Sequence, residues 1–399
     1  MPGTSPLDMM GAPQQRARRP RAPPARRRRR LAAALAIVAG VALAWVALWY
    51  YAASVADRTL AGWVQREAAA DRVYSCGAQS IGGFPLRIKA RCTAAAAEIN
   101  DRQPPYAVKA RSVTFAADVW RPTRLIGDVE GPLTLAVPGQ PPSWIADWAQ
   151  ARLIVRGVPP DPEAISIRLD GSQIDRAGNA EAATTVFKAE RAELSARIID
   201  GSAGDRPVIE LTLHLAAASA PTLHPLLRAP LGADIDAVLR GLKDLSPKPW
   251  AARVRDIQAS AGGIEVKSLR IVQGDVIVAG AGTLSVNAHG KLDGLVRVAI
   301  AGVDHLVPFL GIDRLIGQGI DRLSGANEAA QGFEALDRLV PGLGNAVRDS
   351  ASASLVDNLK RMGQPTAIDD RPAVALPLRF VDGSVYLGML RVGEVPPLL

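Results

Sequence analysis

Two cysteines, Cys76 and Cys92, and four histidines, His214, His224, His289 and His305, are the side chains in this chain best suited to metal, redox or nucleophilic chemistry. The cysteines lack the Cys-x-x-Cys spacing of a dithiol motif or zinc ribbon, and no histidine falls within a hundred residues of either. The histidines form no His-Glu-x-x-His pair; His214 sits between Leu213 and Leu215 in an alternating stretch, and His289 belongs to a turn. Gly290-Lys291 lacks the earlier glycine of a phosphate loop, and Gly342-Leu343-Gly344 lacks the third glycine of a dinucleotide turn. No Gly-x-Ser-x-Gly elbow occurs. The acidic pairs Asp369-Asp370 and Asp161/Glu163 lie in proline-flanked stretches that suit solvated loops better than a paired acid and base. The expectation is a protein with no catalytic residues, no cofactor and no metal. A hydrolase of envelope polymers built from dispersed carboxylates is the enzymatic alternative.

What must position any site is easier to read. Residues 1–30 carry nine arginines against the single acidic Asp8, and the rest of the chain holds 38 basic and 38 acidic residues. A balanced remainder gives no basic surface for counterion release, which argues against a nucleic-acid partner. Residues 31–53 carry no charge, and a helix of that length spans about 35 Å. That crosses a hydrocarbon core of about 30 Å. Arg26 to Arg30 abut its start and Trp45, Trp49, Tyr50 and Tyr51 crowd its end, the pattern of a cytoplasmic N-terminus and an interfacial aromatic belt. The expected topology is a single-pass signal anchor in the inner membrane with the bulk of the chain in the periplasm. A cleaved signal peptide ending near Ser54-Val55-Ala56 is the competing reading.

On the oxidising side of such a membrane, two lone cysteines are most economically a disulfide. After the turn residues Ile81-Gly82-Gly83-Phe84-Pro85, Leu86, Ile88, Ala90 and Cys92 alternate with Arg87, Lys89 and Arg91, which predicts a half-buried strand with a basic outer face. A bridge between Cys76 and Cys92 would staple the segment before the turn to that strand.

The run Cys76, Gly82-Gly83-Phe84-Pro85-Leu86-Arg87-Ile88 and Cys92 behind an N-terminal anchor resembles a bacterial envelope family known as domain of unknown function 2125. The segment from Leu376-Pro377-Leu378-Arg379-Phe380 to Tyr386-Leu387-Gly388, and the glycine-punctuated stretch from Ala261-Gly262-Gly263 to Gly290-Lys291-Leu292-Asp293-Gly294, are similar to the same family. The resemblance singles out Gly82, Gly83, Phe84, Pro85 and Arg87 as motif residues and implies topology and fold without an activity. More distantly, strands after one membrane helix are similar to AsmA-like proteins, which are thought to hold lipid in β-grooves.

Beyond the anchor, Leu60, Trp63 and Val64 predict an amphipathic stalk helix within 54–75. Period-two stretches follow at Val113–Val119, Leu133–Val137, Ile165–Leu169, Ile209–Leu215 and 264–301, with turns expected at Pro138-Gly139, Asp170-Gly171, Asp200-Gly201, Gln273-Gly274-Asp275 and residues 288–291. Helical spacing predicts insertions over 223–261 and 311–362, the latter broken by Gly317, Gly319 and Gly332. A hairpin about Asp382-Gly383 closes the chain. The expected fold is α+β, mainly β: one transmembrane helix, then a periplasmic domain over 76–399 of curved antiparallel sheet with inserted helices, forming an open β-groove. That groove would shield lipid acyl chains in envelope maintenance. The alternative is an assembly factor that meets other envelope proteins along a sheet edge.

Overall fold

A computed structural model describes residues 25–306 and 360–398, except 102, 159–160, 179–182, 224 and 247, together with residue 357. The chain divides into two units, 1–55 and 56–399. In the first, the described residues belong to the long helix α1 (Ala25–Ala68), whose apolar stretch is long enough to cross a bilayer and presents Leu35 and Leu43 outward. The basic tail over 1–24 lies outside the described residues.

The second unit opens with the last turns of α1. The helix stops where Asp71 takes a left-handed φ of +58°, a conformation that cannot propagate a right-handed helix. The stalk predicted over 54–75 is therefore shorter: helix ends at Ala68, and residues Arg72–Ser75 are already strand β1. Trp63 packs its ring on Tyr74 with centroids 4.6 Å apart, and Arg72 bonds Glu67 at 2.6 Å, which fastens helix to strand. Burial holds the Tyr74 hydroxyl above its ordinary pKa.

All the described strands of this unit join in one antiparallel sheet. They are β2 (Ala78–Gly82), β3 (Arg87–Ile99), β4 (Tyr106–Asp118), β5 (Arg121–Glu130), β6 (Leu133–Ala136), β7 (Trp144–Asp147), β8 (Gln150–Val158), β9 (Asp161–Arg176) and β10 (Thr184–Ser202). Then come β11 (Asp205–Ala218), β12 (Leu231–Arg240), β13 (Gly263–Gln273), β14 (Val276–Val286), β15 (Leu292–Ala301), β16 (Gln364–Ile368), β17 (Arg371–Val381), β18 (Ser384–Leu387) and β19 (Leu390–Glu394). Pairing is mostly between sequence neighbours. β1 and β2 share one edge of β3, β4 carries β5 and β6, β8 and β7 lead into β9, and an unbroken meander runs from β9 to β15. β17 then pairs β15 on one side and β16 and β18 on the other. The mainly β antiparallel expectation holds, and the three period-two stretches at 113–119, 209–215 and 264–301 lie in the same sheet.

Two sequence expectations are corrected. Residues 223–245 are not helical: a single 3-10 turn at Pro225–Leu227 precedes β12. Leu231, Ile235, Val238 and Leu242 fit a helix, but Ala233, Ile235, Ala237 and Leu239 also fit a period of two with Asp234 and Asp236 opposite. Complete ladders to β11 and β13 decide between the two. The α-helical part of the predicted 223–261 insertion is α2 (Trp250–Ala259). Asp170-Gly171 is not a hairpin turn either. β9 runs through it with Gly171 at φ +61°, changing neighbours from β8, last paired at Asp170, to β7, first paired at Gln173. The predicted helical block over 311–362, with Gly317, Gly319 and Gly332, lies outside the described residues but for its last few.

Three clusters of buried side chains hold the sheet. Val276, Val296, Val298, Ile300 and Leu376 pack with Val303 of the short helix α3 (Val303–Leu306). On the other side of the same strands lie Ile277, Ala301, Ile368 and Ala373. Leu242, just past the end of β12, and Ile257 of α2 close over Ile209, Leu211 and Leu239.

Candidate functional site

The bridge Cys76–Cys92 is formed, with Cα atoms 5.5 Å apart. It ties the link between β1 and β2 to the middle of β3. Of the motif residues, Gly82 ends β2 and Gly83 takes φ +100°, where a Cβ would stand 2.8 Å from the Arg87 carbonyl oxygen. Arg87 N donates to the Gly83 oxygen at 3.0 Å, closing the turn that presents Phe84 and Pro85, and the Arg87 side chain bonds Asp118 on β4 at 2.6 Å. These residues build a turn between two strands.

The sheet itself is more informative, because facing residues of neighbouring strands point to the same side. Beginning at Ala90, one row passes through Phe115, Gly127 and Leu153 to Ile167. It continues through Leu194, Leu213, Ile235 and Leu269 to Gly280, Val298 and Leu376. The next row on this face starts at Ile88 and includes Leu125, Val155, Ile165, Leu211 and Val296. A third starts at Cys92 and includes Val113, Val129, Leu169, Leu215 and Ile300. One face of the sheet is thus apolar across its width.

The rows change character along their length. At the β15–β17 end they are core: Val298 and Leu376 are 4% and 2% exposed. From β4 to β10 the large side chains of the same rows are wetter, with Phe115 at 39%, Ile165 at 38%, Ile167 at 40% and Leu194 at 44%, while the small Ala151 between Val129 and Leu169 is 6% exposed. Their small polar neighbours on the opposite face, Ser112 and Thr114, are buried.

The opposite face carries charge. The row through Arg91, Thr114, Asp128, Arg152, Arg168, Glu193 and His214 is stitched by Arg152–Asp128 at 2.9 Å, Arg91–Glu130 at 3.0 Å and His214–Asp234 at 2.5 Å. Arg191 and Arg168 both bond Asp170 and hold its carboxyl below the usual range; Arg197 does the same to Glu210. Each exposed pair is worth about 0–1 kcal/mol, so the ladder solubilises this face more than it stabilises it.

Among the described residues the charged groups of that face are spread along this ladder of pairs. His289 stands 3.9 Å from Asp382 in a turn, and His224 lies outside the described residues. Among the described residues no group of three or more His, Cys, Asp or Glu side chains could hold a metal. A cleft of about 490 Å³ is lined by Arg111, Asp128, Glu130, Asp147, Trp148 and Arg152. Its occupants pair internally: Arg152 bonds Asp128, and the Trp148 indole donates to the Val129 oxygen at 2.8 Å.

The family described as uncharacterized proteins conserved in bacteria, DUF2125, matches residues 49–396. The chain belongs to DUF2125. The match takes in all nineteen described strands, the disulfide and the Gly83 turn, so the sheet with its apolar rows is built within the DUF2125 region. No curated protein matches the chain. Sequence patterning found each apolar stretch but missed the rows. The available signal was phase: each stretch would have to place its apolar residues in register with the next.

Proposed function

We propose that this DUF2125 protein is a single-pass inner-membrane protein, N-terminus in the cytoplasm, whose periplasmic sheet shields lipid acyl chains on its apolar face and acts by binding without catalysis. The apolar helix and the disulfide support a membrane anchor and an oxidising compartment. The observation that carries the binding reading is the wet portion of the apolar rows around Phe115, Ile165, Ile167 and Leu194. Soluble domains rarely leave contiguous apolar surface beyond a few hundred Å² without an occupant. An acyl chain suits a surface with no directional polar groups, since each methylene removed from water is worth about 0.8 kcal/mol.

The test is a photo-reactive amino acid placed in the full chain in growing cells, at Ile167 or Leu194 on the apolar face and at Arg168 or Glu193 on the charged face. Lipid adducts at 167 and 194 and none at 168 and 193 are expected. Equal adducts on both faces, or none on either, overturn the reading; protein adducts at 167 and 194 would replace lipid by a partner chain.

A further inference from the structure

We infer that the break in the sheet between β4 and β9 is a subsite for a zwitterionic group of the phosphoethanolamine kind, a phosphate joined to a primary ammonium by an ethylene linker, and that it takes this group as the headgroup of a lipid lying on the apolar rows. This rests on the acyl-chain reading above and deepens it.

Two strand pairs stand end to end between β4 and β9. β5 pairs β8 as far as Val129–Ala151, and β6 pairs β7 from Leu133–Ala146, so no ladder joins residues 130–132 to residues 147–150. Pro132, with no N–H to donate, falls in the gap. The cleft of about 490 Å³ lies there, an ordinary size for a small-molecule site.

The paired side chains of the cleft are its walls: Arg152 holds Asp128, and Arg91 holds both oxygens of the Glu130 carboxylate at 3.0 and 3.2 Å. One cation and one anion of its lining are left over. Arg111 is exposed and makes no side-chain hydrogen bond or ion pair among the described residues. Asp147 is exposed, spends Oδ1 on the Trp148 backbone N–H at 2.9 Å, and has no cationic partner among the described residues. Extending the Lys109–Thr134 and Thr134–Ile145 pairs by two residues places Arg111 and Asp147 in one row on one face, two strand spacings or about 10 Å apart. Asp147 leans over Gly131, whose missing Cβ makes room for its Oδ1.

A lone anion in this cleft would meet Asp147, and a lone cation would meet Arg111; a zwitterion answers both. The guanidinium donates to phosphate oxygens, and Asp147 Oδ2 accepts from the ammonium close to the Trp148 ring, whose indole is anchored on the Val129 oxygen. What adjoins the cleft makes the source a lipid. Val129 and Ala151 line it and belong to the row Cys92, Val113, Val129, Ala151 and Leu169. Arg111 stands two residues from Val113 on β4, at the margin of the same face. Acyl chains attached to a headgroup held here start on the apolar rows.

The test is native mass spectrometry of the full chain in a non-ionic detergent, with phosphatidylethanolamine or phosphatidylglycerol of identical acyl chains, or with water-soluble glycerophosphoethanolamine. Phosphatidylethanolamine should bind about fivefold more tightly than phosphatidylglycerol, the upper worth of one exposed ion pair. Asp147→Asn should remove that preference, and Arg111→Gln should weaken both lipids while Arg111→Lys retains them. Both lipids bound without preference, and lost on changing Ile167→Ser with Leu194→Ser, overturns the subsite and leaves the apolar face standing; a preference that survives Asp147→Asn overturns the subsite as well. Glycerophosphoethanolamine bound through Arg111 with neither lipid bound supports the zwitterion site and overturns both its lipid source and the acyl-chain reading. Binding of none of the three overturns both proposals.

Discussion

Ile167 and Leu376 lie in the same cross-strand row and differ only in what covers them, so truncating each separates an open face from a closed core. Leu376 is 2% exposed among Val276, Val298 and Leu387; removing its side chain leaves a cavity, and Leu376→Ala should cost about 2–5 kcal/mol. Ile167 and Leu194 face each other at 40% and 44% exposure. Full burial of such a side chain is worth about 1.5–3 kcal/mol, and an open site leaves no cavity. Ile167→Ala and Leu194→Ala should therefore cost only about 1–1.5 kcal/mol each. The wet fraction is what a ligand can still claim, about 1 kcal/mol per residue. An acyl chain of about fifteen methylenes, half shielded at about 0.8 kcal/mol each, gains about 6 kcal/mol, a dissociation constant on the order of tens of micromolar. The double truncation would weaken that by about 30-fold. Stability is read by pulse proteolysis in urea on the full chain in nanodiscs, and lipid contact by the yield of a photo-reactive residue at Leu213, the next position in the row. Costs at Ile167 and Leu194 equal to that at Leu376 would show a closed core, and an unchanged yield at 213 would remove lipid from this face.

Further expectations follow from single sites. Cys92→Ser opens a loop with a sequence separation of 16 and should lower stability by about 3 kcal/mol in the chain-entropy picture; thiol labelling without reductant should find neither cysteine free in protein from the periplasm. Gly282→Ala would put a Cβ 2.2 Å from the Leu295 oxygen and 2.5 Å from the Val296 Cα, both backbone atoms, so β14 and β15 must separate; slowed hydrogen exchange of their amides should be lost. Ser246 and Lys248 hold Asp244 at a pKa of about 2, below its ordinary 3.8, so its contribution is present above about pH 4 and lost as the pH falls toward 2. Lys248 also bonds Asp256 of α2, and amides of α2 should therefore open first on acidification, as read by hydrogen exchange. A reporter active only in the periplasm, fused after Leu399, should be active, and a mature N-terminus at Asp57 would refute the anchor.

Much of this architecture is written in local pattern. The span over 31–53, the strand alternating from Leu86 to Cys92, the β13–β14–β15 meander and the closing turn at Asp382-Gly383 all follow from period and turn chemistry in their own neighbourhoods. β12 did not, because its apolar residues satisfy both periods and only the ladders on its two sides choose between them. Asp170-Gly171 misleads for the same reason: the dipeptide permits a reversal, but β10 pairs straight past it, Asp170 with Arg191 and Ser172 with Ala189. The apolar face is the least legible feature. Each strand shows its own alternation, yet whether Ile167 meets Leu194 or Glu193 is a matter of register, and a slip of one residue in β10 would bring Glu193 and either Arg191 or Arg197 into these rows.

That register carries the functional argument. An antiparallel sheet with one apolar face ordinarily meets a second layer along its whole width. Here α2 and α3 supply such a layer near β11–β12 and β14–β17, while from β4 to β10 the rows stay half wet and the small polar side chains behind them are the buried ones. Ser112 and Thr114 are buried on the charged face of β4, while the side chains of Arg91, Asp128 and Arg152 on that face stay more than two-fifths exposed. Phe115, Ile165, Ile167 and Leu194 stay 38–44% exposed on the apolar face, which fits the proposal that it receives apolar matter from outside itself. On the proposed reading the source is the membrane that anchors α1, and between β4 and β10 the rows provide a path on which an acyl chain can lie without crossing a charged side chain.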